Sequence, residues 1–252
     1  MTVEPTWRLA LALLVLVAVA IAAATWSRLP LRRQIVVAST RVLLQLTAVS
    51  FVIVAAVQHL AASLGFLVVM FVIAVWTTAR RTDTVRRWPW VALTMASGIV
   101  PVLAIIFGLG VAPFTGLSII PIAGILVGNM MTVHTLTGMR VFGALRDDLA
   151  SFEAGLSIGL ERGDAIDLVI RPRLPEALLP GLDQTRTTGL VTLPGAFIGV
   201  LLGGGTPVQA GAAQVLVLIG ILAGQFIAVG VAGRLIRGAK LLPTDLAARL
   251  RP

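Results

Sequence analysis

Long apolar runs separated by short charged clusters dominate the pattern of this chain. Seven runs reach or approach the roughly 20 residues that a helix needs to cross a hydrocarbon core about 30 Å thick. They cover residues 8–26, 35–57, 63–79, 90–109, 118–139, 188–205 and 209–233. The pattern predicts an all-α integral membrane protein with about seven transmembrane helices, and one transmembrane domain over residues 1–252.

The run at 188–205 is the weakest of these, because it is short and contains the sequence LPGAFIGVLLGGG. Pro194 removes a backbone donor, and the carbonyl that it frees needs another partner inside a membrane. We therefore predict a kink at Pro194 or a partly re-entrant helix. Whether this run crosses the membrane completely stays open.

Charge then orients the predicted helices. Of the 252 residues, 58% are hydrophobic and only 12% are charged, and the formal net charge is +9. In a soluble protein such a charge would suggest nucleic acid, but the basic residues cluster after the first, third, fifth and seventh runs. The connections after the other runs contain no Lys or Arg, and only Arg8 lies on that side. The positive-inside rule thus predicts an outside N-terminus, a cytoplasmic C-terminus and a multi-pass protein of the cytoplasmic membrane.

Several kinds of chemistry are missing from the sequence. There is no cysteine, which excludes disulfides, zinc fingers and thiolate catalysis. No G-x-x-x-x-G-K-[ST] loop is present to hold nucleotide phosphates, and no His-Glu-x-x-His motif occurs. All eleven acidic residues fall outside the runs, which argues against a proton relay built on Asp or Glu. We predict no catalytic site and no cofactor in this chain.

Glycines recur every fourth residue on three of the runs. Small residues at this spacing let helix backbones approach closely and gain contacts that lipid cannot supply. Tight packing is one interpretation and sliding of these faces during transport is another; both stay open. The glycines are Gly124 with Gly128, Gly195 with Gly199 and Gly203, and Gly220 with Gly224.

Polar residues interrupt two of the runs. Arg41 lies about two turns into the second run with Gln45 one turn further, and either a functional role or snorkelling to the interface explains this arginine. In the fifth run Asn129, Met130 and His134 lie close together, and Met130 and His134 share a face. Thioether, imidazole and amide groups can ligate a soft or borderline metal, although a histidine near a span end also serves as a helix–helix hydrogen-bonding residue.

Residues 141–186 form a charged island that holds most of the acidic residues and is cytoplasmic by the charge rule. Within it, four apolar residues repeat at helical spacing before Gly159 and Gly163 interrupt them: Leu149, Phe152, Leu156 and Leu160. The pattern predicts two short amphipathic helices joined at a glycine turn and lying near the membrane surface.

The second of these helices has its own boundary signals. Asp164 is placed to cap its start, with Asp167 at the third position supporting the positive end of the helix. Three prolines then prevent one long helix from continuing. They are Pro172, Pro175 and Pro180.

The stretch FEAGLSIGLERGDAIDLVIRP resembles the EAA motif of ABC-transporter permeases, in which this loop is the coupling helix that enters a cleft of the ATPase subunit. Glu153 and Ala154 precede Gly159 at the usual offset, and Val169 and Pro172 match the aliphatic residue and the proline of that motif. The sequence departs from the motif at Gly155 and Arg171. The resemblance implies that the ATPase docks on Glu153, Gly159, Asp164, Asp167 and Pro172.

A closer resemblance covers nearly the whole chain. The segments RVLLQL, IIPIAGILVGNMM, LPEALLPGLDQTRTTGLVTLPGAFIGVLLGG and TPVQAGAAQ resemble the FetB family of ABC permeases, with members linked to iron export and to aluminium tolerance. The resemblance implies a permease homodimer, a separate ATPase subunit that binds ATP and Mg²⁺, and export of iron or a related metal ion. The candidate pathway is Arg41, Gln45, Asn129, Met130 and His134, with Met130 and His134 as metal ligands.

Other functions stay open from the sequence alone. They are a permease for an organic solute such as a nucleotide-sugar, a membrane binding or assembly protein without transport, and a membrane enzyme. The enzyme ranks last because the chain lacks an acid–base constellation. The solute and the transport direction are open too.

Overall fold

The computed structural model describes residues 6–250, which are mostly helical and contain no named β-strand. Among these residues, six helices are long and apolar enough to cross a membrane. They correspond to six of the seven predicted runs, which confirms the all-α, multi-pass membrane fold. They are α1 (Trp7–Trp26), α2 (Arg32–Gln58), α3 (Leu60–Arg81), α4 (Trp88–Gly108), α5 (Gly116–Asp147) and α10 (Pro207–Arg237).

Five shorter helices complete the described chain. They are α6 (Leu149–Ser157), α7 (Arg162–Ile170), α8 (Leu179–Thr187), α9 (Gly195–Leu202) and α11 (Thr244–Arg249). The protein folds as two compact units, and the boundary between them follows Gln58. The first unit contains α1 and α2, and the second contains all the other helices.

The first unit is a pair of helices joined by a tight turn over residues 27–31. Arg28 has a φ of 55° in this turn, and the Leu29 N–H donates to the carbonyl of Ala24 at 2.9 Å. Nearly all side chains of α1 and α2 are exposed, including Arg41 and Gln45 of the predicted pathway.

The second unit is built around α10, which packs most extensively on α4 and α5. Gly98 of α4 lies against Gly224 of α10, and one turn further Val102 lies against Gly220. Residue numbers therefore rise on one helix as they fall on the other, so α4 and α10 run antiparallel. A short loop at residues 109–115 reverses the chain between α4 and α5. Helices α5 and α10 consequently run parallel.

The crossing of α4 and α10 is close enough to exclude any side chain. A Cβ placed on Gly98 would lie 2.5 Å from the Gly224 carbonyl oxygen and 2.6 Å from Met130 Sδ, and one placed on Gly224 would lie 2.7 Å from the Gly98 oxygen. Met130 itself is fully buried. Three helices thus meet at this point through two glycines and one methionine.

Helix α3 also belongs to this bundle and packs mainly on α5. Met70 lies against Gly124, and Thr82 lies against Gly138, so α3 and α5 run parallel. The ends of α3, α5 and α10 and the start of α4 therefore share one end of the bundle. This end, which we call the basic end, carries Arg80, Arg81, Arg86, Arg87, Arg140, Arg146, Arg234, Arg237 and Lys240.

The predicted sixth span is not one helix, which corrects the bounds 188–205. Because α5 and α10 are parallel, the chain between them must return along the bundle, and it does so as α8, a turn and α9. Helix α9 has eight residues and is about 12 Å long, too short to cross alone. Gly181 of α8 is buried against Gln225 of α10, so α8 lies along the bundle although its sequence position predicted a place in the cytoplasmic island.

Pro194 does not kink a helix, which corrects the first of the two alternatives predicted for this run. It is the extended residue that precedes α9, with φ −69° and ψ 156°, so its missing N–H interrupts no helical hydrogen bond. Helix α9 ends at Gly203, and α10 begins after a capping box. In that box the Gln209 N–H donates to Thr206 Oγ1, and the Thr206 N–H donates to Gln209 Oε1.

The glycine faces differ in their surroundings. Gly220 and Gly224 face α4, and a Cβ on Gly124 would lie 3.2 Å from Met70 Cε. A Cβ on Gly128, Gly195 or Gly199 would meet nothing within 4 Å in the described chain. Gly203 would contact only the backbone of its own helix, at Gly199 and Val200.

We predict that Gly224→Ala destabilises the bundle by about 1–3 kcal/mol, because the added methyl group has no space between α4 and α10. Gly230→Ala is the matched control on the same helix, since its Cβ would meet nothing within 4 Å. The control should be neutral or gain up to about 1 kcal/mol from helix propensity. Thermal unfolding in detergent measures both, and equal shifts for the two variants would contradict the close crossing.

Candidate functional site

Two short helices form a hairpin on the basic end of the bundle, as the sequence predicted. Asp148 begins α6 by accepting a hydrogen bond from the Ser151 N–H at 3.2 Å, and Gly159 makes the turn with a φ of +91°. The inner face packs against the bundle through Phe152, Ala165, Ile166 and Ile170, which are all buried. The α6–α7 hairpin (residues 149–170) is therefore held by apolar contacts rather than lying free as a linker.

The outer face of the hairpin is exposed and mixed in character. Glu153 of α6 and Pro172 after α7 are exposed, as the ATPase-docking prediction requires. Ile158 at the tip of the turn is 80% exposed, and Leu168 of α7 is 53% exposed. An apolar tip beside a carboxylate is a surface that a protein partner can cover.

Asp164 does not cap α7, which corrects the prediction. The helix starts at Arg162 after Glu161, and Asp164 lies inside its first turn, where a carboxylate still favours the positive helix end. Its side chain forms an ion pair with Arg237 at the end of α10. Asp167 forms no ion pair or side-chain hydrogen bond in the part of the chain that the structure describes.

Further ion pairs join the chain segments at the basic end. Glu176 lies 3.6 Å from Arg140 of α5 and 3.0 Å from Arg173. Arg146 at the end of α5 donates to Asp245 of α11 at 2.8 Å. The hydrogen bond from Arg146 lowers the pKa of the Asp245 carboxyl below its ordinary value. These pairs are solvent-exposed, so each contributes little alone.

The predicted pathway residues of α5 have three different environments. Met130 fills the crossing of α4 and α10, so its thioether contacts helix backbones. His134 lies one turn nearer the basic end and is 4% exposed, and within residues 6–250 its Nδ1 has no hydrogen-bond partner. Asn129 is half-buried and donates to the Ile125 carbonyl of its own helix at 2.9 Å. Arg41 and Gln45 belong to the other compact unit.

Two buried amide side chains of α10 lie outside the set predicted from the sequence. Gln214 and Gln225 on α10 are each 5% exposed, and the Oε1 atom of each lacks a hydrogen-bond partner among the residues that the structure describes. They lie eleven residues apart, about three helical turns, and therefore share a face. The signal was visible as two amides inside an otherwise apolar run, which is a costly placement in a membrane.

No group of three or more His, Cys, Asp or Glu side chains within residues 6–250 is arranged to hold a metal ion.

Comparison with known proteins finds a family that matches almost the whole chain. A family model described as "Uncharacterised protein family (UPF0014)" matches residues 6–239. The "UPF0014 membrane protein STAR2" of Oryza sativa subsp. japonica is 33% identical over 198 residues, which is 76% of this chain and 68% of that protein. No solved structure matches the chain.

Two further relatives carry informative names. "Protein ALUMINUM SENSITIVE 3" of Arabidopsis thaliana is 32% identical, covering 75% of this chain and 71% of that protein. The "Probable iron export permease protein FetB" of Escherichia coli (strain K12) is 31% identical, covering 77% of this chain and 76% of that protein. The match of the family model over residues 6–239 includes the hairpin, α8, α9 and α10.

We predict that Asp164→Asn and Arg237→Gln each loosen the α6–α7 hairpin, because each breaks its one ion pair to α10. Hydrogen exchange of the hairpin amides should accelerate roughly two- to fivefold, as expected for an exposed pair. The double variant should exchange no faster than either single variant. Asp167→Asn, which removes the same charge from the same helix, is the control, and an equal acceleration there would refute the role of the pair.

Proposed function

The chain belongs to the UPF0014 family, and on that premise we propose that it is the transmembrane permease subunit of an ABC transporter. A separate ATPase subunit binds ATP and Mg²⁺ and drives it. The observation that carries this proposal is the α6–α7 hairpin, an exposed helical element fixed to the basic end of a membrane bundle. The chain has no phosphate loop of its own, so an energy source must dock from outside.

In the proposed mechanism the hairpin receives force from the ATPase. Two copies of this chain pair with two ATPase subunits, whose closure on ATP moves the docked hairpins. Because buried apolar side chains join the hairpin to the bundle, it moves with α10 and α5 rather than independently. The helices then alternate between arrangements open to either side and move the solute outward.

A metal ion is the proposed solute, because the names of two relatives refer to iron and aluminum. His134 and Asn129 on α5 are the proposed contacts along its path in the second unit, and Arg41 and Gln45 on α2 stay separate candidates. Met130 keeps a packing role at the helix crossing in this proposal, since its side chain fills the space between Gly98 and Gly224.

We predict that Glu153→Arg prevents the ATPase subunit from co-purifying with the tagged full-length chain from its native membranes. The exposed carboxylate would become a cation at the proposed docking face, and like or unpaired charge at an interface is costly. Asp183→Arg makes the same charge change on the exposed face of α8, outside the hairpin, and should retain the partner. Unchanged thermal unfolding shows that both variants fold. Retention of the ATPase by Glu153→Arg would contradict docking at this face.

We also predict that iron or a related metal ion raises ATP hydrolysis by the complex reconstituted in lipid vesicles. His134→Leu should weaken that stimulation while leaving the unstimulated rate unchanged, because the imidazole is buried on α5 and is not part of the hairpin. ATP hydrolysis is measured in parallel with a nucleotide-sugar as the organic solute. Stimulation by the organic solute and by no metal would overturn the metal assignment while keeping the permease role, and a complex without any ATPase would overturn the permease role.

A further inference from the structure

A pocket of about 280 Å³ opens at the basic end, between the turn that joins α3 to α4 and helix α11. It is separate from the hairpin and from the proposed solute path. Its lining combines two cationic groups, one carboxylate, hydroxyl groups and apolar groups: Asp83, Thr84, Arg86, Arg87, Leu242, Thr244 and Ala247. Nothing in the proposed transport mechanism uses these residues.

The turn that forms one wall of the pocket is rigidly built. Asp83 has a φ of 56° and ends α3, and the Thr84 N–H then donates to the Ala79 carbonyl at 2.8 Å. The buried hydroxyl groups of Thr82 and Thr84 lie 2.7 Å apart and hydrogen-bond to each other. The single 3₁₀ turn Val85–Arg87 follows directly. The backbone that carries the two arginines is therefore held in place.

Both arginines of the pocket are free to bind an anion. Arg86 and Arg87 are exposed, and in the described part of the chain neither makes an ion pair, a side-chain hydrogen bond or a cation–π contact. Some other cations of the basic end are already paired, Arg146 with Asp245 and Arg237 with Asp164. Adjacent guanidinium groups offer forked donors that match phosphate oxygens.

Tryptophans place this pocket at the level of lipid headgroups. Trp88 follows Arg87 directly and is 53% exposed. Trp76 on α3 lies under the Arg80 guanidinium at 5.0 Å, and Trp90 on α4 lies under the Lys240 ammonium at 5.2 Å. Tryptophan together with Arg and Lys at the end of a span marks the membrane–water interface.

We propose that this pocket binds the phosphodiester headgroup of an anionic glycerophospholipid of the phosphatidylglycerol type. Two arginines and one aspartate give its lining a formal charge of +1. A headgroup with one negative charge neutralises that excess, whereas a zwitterionic headgroup leaves it in place. Thr244 supplies a hydroxyl for the glycerol oxygens, and Leu242 with Ala247 supplies apolar contact. Basic pockets at helix ends recognise anionic lipids in this way.

The test uses the purified full-length chain, delipidated in detergent and titrated with phosphatidylglycerol, with bound lipid counted by native mass spectrometry. Arg86→Gln/Arg87→Gln should weaken binding roughly 30-fold, since each arginine contributes about a fivefold factor. Arg86→Lys/Arg87→Lys keeps the charge and should retain most of the binding. The control Arg171→Gln/Arg173→Gln removes two exposed cations outside the pocket and should bind as the unmodified protein does.

Three results would overturn the proposal. Phosphatidylethanolamine or phosphatidylcholine binding as tightly as phosphatidylglycerol would show that the pocket does not select an anion. Displacement of the lipid by millimolar inorganic phosphate would assign the site to a soluble anion. An equal loss in both glutamine double variants would show general attraction to the charged end, and unchanged thermal unfolding of each variant excludes misfolding as the cause.

Discussion

The contact between Gly98 and Gly224 is the constraint on which the rest of the bundle depends. Lipid removes the hydrophobic drive between helices, so helix association relies on close backbone approach, and here two helices meet where no side chain fits. That contact sets α4 antiparallel to α10 and, through the short loop to α5, sets α5 parallel to α10. Two parallel helices need a connection that returns along the bundle. The hairpin, α8 and α9 are that connection.

This connection touches α10 at successive levels from the basic end inward. Asp164 pairs with Arg237, Leu174 packs on Gly233, and Gly181 packs on Gln225. A displacement of the hairpin would therefore act on α10 directly at its end as well as through α8. The permease proposal needs such a link, because a docking element that merely rested on the membrane surface would pass no force to the helices.

The sequence predicted the elements that have a local periodic pattern. It did not predict the features that depend on contacts between helices far apart in the chain. Continuous apolar runs marked the six long helices, and periodic leucines with Gly159 marked the hairpin, because both signals are local. The prediction of one span at 188–205 was wrong, because hydropathy does not show that Pro194 and Gly203 flank a helix of only eight residues. The spacing of Met130 and His134 correctly indicated a shared face, yet the partner of Met130 is a glycine pair on two other helices. The surroundings of Gln225 could not be predicted, because they depend on α8, which the sequence placed in the cytoplasmic island.

The two sides of α10 differ in how easily their contacts can change. Toward α4, the backbones at Gly98 and Gly224 are in close contact. A shift of α10 against α4 would therefore break packing contacts of α4, α5 and α10 at once. Toward α8, Gln225 Oε1 faces Gly181, and neither this atom nor Gln214 Oε1 on the same face has a hydrogen bond in the described part of the chain. An unpaired buried amide loses free energy that a rearrangement or a polar solute can recover. The interface of α10 with α8 and α9 is thus the side on which a second arrangement costs least, and it is also the side that the hairpin leads into.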